Sequence, residues 1–503
     1  MKVMNLKLLE MRLELISRMV MHKDIVVVGA GISGIAAAYN LQKSCPTKSF
    51  TILEGRASLG GTWDLFNYPG IRSDSDMHTL GFRFKPWLHK KSIADGASIL
   101  EYLNETVDEH SIRDRIQFNH KVTSADWISD QSLWELKVTS ANGAVLDMTA
   151  NFLFLCGGYY SYDKPHTPHF PNQEAFKGTM VHPQFWDKNL DYTNKNVVVI
   201  GSGATAVTLV PALAEKAKHV VMLQRSPSYV ISAPGEDQLN KVLKRFLPAH
   251  LAYFLTRWKN ILFTSLGYYL SRAYPAKVKE KLIQQVKDEL GDDFDVTKHF
   301  TPSYNPWDQR MCLVPDGDLF SAINQGTASV TTDLIEQFNE DSILLKSGQS
   351  LEADIIVTAT GIEINSLNGI AVSIDGVDIE PHNRLAYKGM MLSGVPNLAF
   401  SFGYVNASWT LRADLTCEYV CRLLNAMDRE KVTACCPENN SQAVADDEYI
   451  SFTSGYVQRA LDILPKQGTK NPWRNYQNYL KDIFYVRFFS IKDSTLRFYN
   501  HDQ

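Results

Sequence analysis

Short β-branched runs and helix-periodic segments alternate along this chain. Residues 24–28 (DIVVV) form a compact apolar run that predicts a buried parallel strand. Residues 35–41 read as a helix, and 50–53 (FTIL) predict a second strand that stops at Glu54. The same succession returns at 196–200, in the helix that follows, and at 219–223. Two further apolar strands are predicted at 152–156, ending in Gly157-Gly158, and at 354–359, ending at Gly361. Strands alternating with helices predict parallel sheets and an α/β protein. Between 238 and 279 the pattern changes to a stretch with eight Lys or Arg, eight aromatic residues and no Asp or Glu. That stretch reads as a helical insertion.

The first 23 residues break their apolar positions with Lys2, Lys7, Glu10, Arg12, Glu14 and Arg18. No uninterrupted signal-peptide core results, and no run reaches the ~20 residues of a membrane span. Residues 1–23 read as an amino-terminal extension. It is either a gene start set upstream of a true start near Met19 or Met21, or a short amphipathic helix.

The turns between strand and helix carry the chemistry. Gly29-Ala30-Gly31-Ile32-Ser33-Gly34 follows the first strand, and Glu54 lies 25 residues after Gly29. Strand, GxGxxG, helix, strand and acid together form a dinucleotide-binding fingerprint. The glycines let backbone approach a pyrophosphate at a helix amino terminus. Glu54 can accept hydrogen bonds from a ribose 2′-hydroxyl and would repel a 2′-phosphate, so this unit suits FAD or NAD. The second unit carries Gly201-Ser202-Gly203-Ala204-Thr205-Ala206, followed by Val207. Its second strand ends in Gln224-Arg225-Ser226, with no acid. A cation and a hydroxyl at that position suit a 2′-phosphate, hence NADPH. The two units imply FAD plus NADPH in one chain.

The predicted architecture is two interleaved Rossmann-like dinucleotide-binding domains with a helical insertion. Residues 24–160 are expected to form the first part of the FAD-binding domain and 161–230 the first part of the NADPH-binding domain. The insertion takes 231–310, and the NADPH-binding domain resumes over 311–362. Residues 363–503 complete the FAD domain and the carboxy-terminal region.

Composition changes this picture little. With 51 Lys and Arg against 55 Asp and Glu, nothing favours a polyanionic partner, so no nucleic-acid binding is expected. Seven cysteines, an odd number without a CxxC, read as free thiols in a reducing cytoplasm. No metal site is assigned. The basic, aromatic stretch 238–279 suggests peripheral contact with a membrane surface, against the plainer reading of a helical cap.

Two longer motifs name a family. Gly60-Gly61-x-Trp63-xxxx-Tyr68-Pro69-Gly70-xxx-Asp74 follows the first unit, and Phe176-x-Gly178-xxx-His182-xxx-Trp186-Asp187 precedes the second. Both resemble the fingerprints of type I Baeyer–Villiger flavin monooxygenases. Trp186, where ordinary flavin-containing monooxygenases carry Tyr, separates the two groups. The resemblance runs through 24–490 and is nearest to the ethionamide-activating subgroup, which in turn is similar to enzymes linked to long-chain alkane use.

That resemblance implies an NADPH-dependent flavin monooxygenase. It would insert one oxygen of O2 beside a ketone carbonyl to give an ester, and would also oxidise sulfur in thioamides or sulfides. Arg310 matches the family's catalytic arginine, a permanent cation suited to a developing oxyanion. Asp74 matches its partner near the flavin. His182 matches the fingerprint histidine, expected to couple domain motion and not to act as an acid or base. Ser33, Thr62, Trp63, Asp64, Leu65, Arg72 and Asp74 should line the flavin, with Val122 on the adenine side. Residues 406–409 are expected to form a mobile loop over the nicotinamide. Gln309 stands where several relatives carry a lysine that holds the 2′-phosphate, which puts more of that task on Arg225 and Ser226. The alternatives are an S- or N-oxygenating flavin monooxygenase, a monooxygenase of long-chain alkane degradation, or an uncoupled NADPH oxidase that senses redox state.

Overall fold

The computed structural model describes residues 21–439, 447–450 and 452–500. Most of the expected extension lies outside the described residues. Its last three residues, however, belong to strand β1 (Met21–Val28), where Met21, His22 and Lys23 pair with Met148, Thr149 and Ala150. The strand therefore begins earlier than the β-branched run, because a neighbouring strand is long enough to extend it.

From β1 the chain passes through helix α1 (Ile32–Ser44) into β2 (Phe50–Glu54). Helices α2 (Thr62–Leu65), α3 (Met77–Leu80) and α4 (Gly96–Glu109) lead to β3 (Ile116–Phe118). Three antiparallel strands follow: β4 (His120–Ile128), β5 (Leu133–Ser140) and β6 (Val145–Leu155). β6 returns parallel to β1, which pairs parallel to β2, which in turn pairs parallel to β3. A strand at Leu398–Phe400 adds a further parallel edge to β6. The central strands are buried on both faces, which explains their continuous apolar sequence.

The chain leaves this sheet through β7 (Tyr160–Pro165) and enters a second one at β8 (Thr179–Val181). The second sheet is built from β9 (Asn196–Ile200), helix α5 (Ala204–Ala214), β10 (His219–Gln224), β11 (Ala328–Thr332) and β12 (Ile355–Thr358). Its order is β11-β10-β9-β12-β8, all parallel. The chain returns through β13 (Ile362–Ile364), which pairs antiparallel with β7. The two passages between the sheets therefore lie side by side. The expected α/β class with two dinucleotide-binding units is borne out.

The insertion is helical: α6 (Gln238–Phe246), α7 (Ala249–Ala273) and α8 (Pro275–Leu290). Its charge is less segregated than the sequence suggests. Arg257, Lys259 and Arg272 pair with Asp414, Asp237 and Asp308, all from outside 238–279. Long helices α9 (Trp409–Glu430) and α10 (Tyr479–Phe488) complete the molecule, α9 packing on α1. No helix among the described residues is long and apolar enough to cross a membrane. All seven cysteines are free and buried.

Candidate active site

Both glycine turns open into one cavity of about 1070 Å³. Gly29 has φ +99, and a Cβ there would lie 2.7 Å from Gly157 Cα at the end of β6. A Cβ on Gly34 would meet the Gly29 carbonyl oxygen at 1.8 Å, so only glycine lets α1 start this close to the strand. The second unit repeats the device: a Cβ on Gly201 would lie 2.4 Å from the Ala359 carbonyl oxygen, beyond β12. Neither α1 nor α5 has a side-chain cap, so their first N–H groups remain available to an anion. Gly61 backs onto Gly31, leaving a slot walled by bare backbone.

Glu54 is buried at the end of β2 and lines the cavity. Its carboxylate accepts from the Ala30 N–H at 2.7 Å and the Arg56 N–H at 2.9 Å. Burial raises its pKa, against those two bonds and the Arg56 charge. The opposite rim carries Arg225 and Ser226, both exposed, at the end of β10. Asp333 shares that rim, which the sequence reading missed. Its N–H donates to the Gln224 carbonyl at 3.0 Å, and hydrogen bonds from Ser347 and Leu334 hold its carboxyl below the usual range.

Arg310 and Asp74 meet in the cavity wall, Nη2 to Oδ2, at 2.8 Å. Burial works against the Arg310 charge, but the Asp74 carboxylate favours it, and the pKa is pushed up. Burial keeps the three phenols neutral in turn, Tyr456 being pushed up to about 12. Arg310 is carried on a turn in which Trp307 adopts φ +68. Asp308 of that turn accepts from Arg272 on α7 at 2.7 Å, and its carbonyl accepts from the Thr453 N–H at 3.0 Å. Tyr159 and Tyr160 follow the predicted Gly157-Gly158 strand end, a position where parallel sheets place ligands. Tyr456 lies nearly 150 residues after Arg310, and no local signal marks it.

The cavity also takes in Gly29, Gly31, Ser33, Thr62, Trp63, Arg72, Val122, Gly201, Ser202, Gly203, Ala204 and Thr205. Several other expected contacts fall elsewhere. The Asp64 carboxylate turns to Arg56 and Ser58, both at 2.6 Å. Leu65, Ala206 and Val207 are buried in the core beneath α5, on the helix faces turned away from the cavity. Gly34 serves the packing of α1. Arg72, within the cavity wall, is ion-paired with Asp318. His182 lies outside the cavity wall: its Nε2–H donates to the Gly361 carbonyl at 3.2 Å, and its Nδ1 accepts from the Gln184 N–H at 3.1 Å. Burial lowers its pKa, which favours the neutral ring. Residues 406–408 are a non-helical segment leading into α9, which starts at Trp409, and both ends are held by side-chain contacts. The Asn406 amide donates to the Gln477 carbonyl at 3.0 Å, and the Trp409 ring stacks on Tyr159 at 5.4 Å. The Trp409 indole N–H donates to Ser33 Oγ at 2.7 Å.

This donor set fits two dinucleotides. One glycine turn ends at a buried acid, the other at an exposed cation, and a charged pair lies between them in the same wall. Comparison with known proteins agrees. Residues 87–377 match the flavin-binding monooxygenase-like family, and 27–90 match an NAD(P)-binding Rossmann-like domain. The FAD-containing monooxygenase EthA of Mycobacterium tuberculosis H37Rv is 52% identical over 95% of this chain and 98% of its own length. The probable FAD-binding monooxygenase AlmA of Acinetobacter baylyi is 48% identical over 95% and 96%. Among solved structures, an oxidized steroid monooxygenase bound to NADP superposes with a TM-score of 0.77 at 21% identity, over 95% of this chain and all of that one. A cyclohexanone monooxygenase from Rhodococcus sp. Phi1 bound to NADP+ gives 0.71 at 20%, over 96% and 100%. At such identities these two structures establish the shared fold.

Proposed function

The chain belongs to the flavin-binding monooxygenase-like family and is an FAD- and NADPH-dependent monooxygenase, and from that premise we propose that it carries out Baeyer–Villiger oxidation of a small ketone to an ester. Sulfur oxidation of thioamides or sulfides belongs to the same reading, as does a cytoplasmic protein touching a membrane peripherally. The observation that carries the ketone reading is the Arg310–Asp74 pair at 2.8 Å in the wall shared by both glycine turns.

Reduced FAD, when bound, supplies the activation of O2, with NADPH as the electron donor. The chain's own residues do the rest. The bare turns at Gly29–Gly34 and Gly201–Ala206 receive the pyrophosphates at uncapped helix starts. Glu54 selects a free ribose hydroxyl, and Arg225 with Ser226 selects a phosphorylated one. Arg310 stays cationic throughout and faces the negative charge that develops on a substrate carbonyl oxygen. Asp74 fixes the direction of its guanidinium. Tyr159, Tyr160 and Tyr456 offer neutral hydroxyls beside the pair. His182, neutral and tied to Gly361, holds the return passage between the sheets in place.

The test is NADPH oxidation with product identification across ketones of rising chain length, a thioether and a thioamide. Ester from at least one ketone is expected. Sulfoxide without any ester would replace the ketone reading with an S-oxygenating one, and NADPH consumption without oxygenated product would point to an oxidase.

A further inference from the structure

Sixteen of the twenty-five exposed large hydrophobic side chains of the described residues fall in two short stretches, 239–274 and 480–489. Phe246 is 80% exposed, Phe263 76%, Tyr269 66% and Phe488 73%. On α7 the exposed set Leu251, Phe254, Leu255, Leu262, Leu266 and Leu270 recurs at helical spacing, so it forms one outward stripe. Ring contacts carry the stripe sideways: Phe254 meets Trp258 at 6.4 Å, and Trp258 meets Tyr479 of α10 at 6.5 Å. Patches of this kind on a folded protein mark an interaction surface.

The charge beside it says what the partner is. Leu88, 60% exposed, sits on the loop that carries Lys90 and Lys91, and its carbonyl accepts from Lys244 of α6 at 3.2 Å. Around Leu88, Val242 and Phe246 the surface therefore gathers Lys90, Lys91, Lys244 and Arg245, while Lys241 pairs with Glu236 at 3.6 Å. Residues 238–279 supply no acid. A two-fold axis passing through this cluster would set like charges against each other, whereas an anionic surface would complement them.

We propose that the loop 88–91, α6, the outer stripe of α7 and the exposed side of α10 form a docking surface for an anionic lipid bilayer. The apolar stripe lies in the interface plane while the lysines and arginine meet lipid headgroups. α7 is about 37 Å long at 1.5 Å per residue. Its far end holds Asp308 through Arg272, on the turn that carries Arg310. The docked helix is thus fixed to the candidate site at its other end. The inference deepens the peripheral contact included in the functional reading and rests on it for that alone.

The experiment is flotation of the FAD-loaded protein with phosphatidylcholine vesicles, with and without phosphatidylglycerol, at low and high salt. Binding is expected only with phosphatidylglycerol, and salt should release it. Lys90→Gln/Lys91→Gln/Arg245→Gln should weaken binding roughly 100-fold, at about fivefold per cation. Phe246→Ser/Phe263→Ser should abolish it while leaving the basic cluster intact. Failure of the unaltered protein to float with anionic vesicles at low salt overturns the proposal, as does full binding by the double Phe variant. A dimer in sedimentation that dissociates in that variant would assign the stripe to a second copy instead. Turnover of a small water-soluble ketone, measured on every variant, should stay unchanged. Its absence from all of them would overturn the ketone reading without touching the vesicle result.

Discussion

Removal of the Arg310 guanidinium should separate the two halves of the catalytic cycle. Arg310→Ala leaves Asp74 without its partner at 2.8 Å, but both side chains are about a third exposed, so water can replace the contact. The stability cost of an ion pair of that exposure is small, roughly 0–1 kcal/mol. The glycine turns, Glu54 and Arg225 are separate parts of the cavity wall, so FAD content and reduction by NADPH should persist. Loss of one preorganised group facing developing negative charge costs about 10²–10³ in rate, or about 3–4 kcal/mol. Ester formation should fall by at least that factor, and further if Arg310 also positions the ketone. The assay pairs FAD content and anaerobic reduction by NADPH in stopped flow with ester quantified by gas chromatography. Ester formation within about tenfold of the wild type by a fully loaded variant, a difference of about 1.4 kcal/mol, would remove Arg310 from the chemistry.

Arg225→Ala should raise the KM for NADPH and narrow its advantage over NADH, at a cost of about 2 kcal/mol in kcat/KM; an unchanged preference shifts the 2′-phosphate contact to other residues. Gly34→Ala puts a methyl 1.8 Å from the Gly29 carbonyl oxygen, so the purified variant should lack FAD; stoichiometric flavin in it would contradict the packing argument. Asp414 is buried 3.5 Å from Arg257, with its Oδ1 unpartnered among the described residues, and burial pushes its pKa up to about 6. A raised carboxyl contributes stability that is complete below its unfolded pKa, near 3.8, and is lost as pH rises through about 6. Relative to the wild type, Asp414→Asn should therefore gain up to about 3 kcal/mol of unfolding free energy between acid and neutral pH. A difference that stays flat with pH, read by chemical denaturation at each pH, would refute this assignment.

Several features were fixed locally and so were legible in the chain itself. A β-branched run followed by GxGxxG has few alternatives, because the helix must start within contact distance of the strand. Glu54 and Arg225 stand at corresponding strand ends, so their opposite charges could be compared without coordinates. Asp74 was reached through a long motif and Arg310 through the family resemblance, neither through any local physics. Tertiary structure decided what those residues face. Sequence places Leu65, Ala206 and Val207 near the turns, but only the packing of α2 and α5 turns them into the core. Arg72 lines the cavity, but its ion pair with Asp318, 246 residues away, exists only in the fold. Tyr456 joined Arg310 by the same long-range closure. The insertion is the clearest case. Its sequence shows many cations and rings, yet pairing with Asp414, Asp237 and Asp308 depends on elements distant in the chain. An amphipathic pattern gives a helix an apolar stripe; whether anything covers that stripe depends on the neighbours the fold brings to it, and among the described residues the outer stripe of α7 stays exposed.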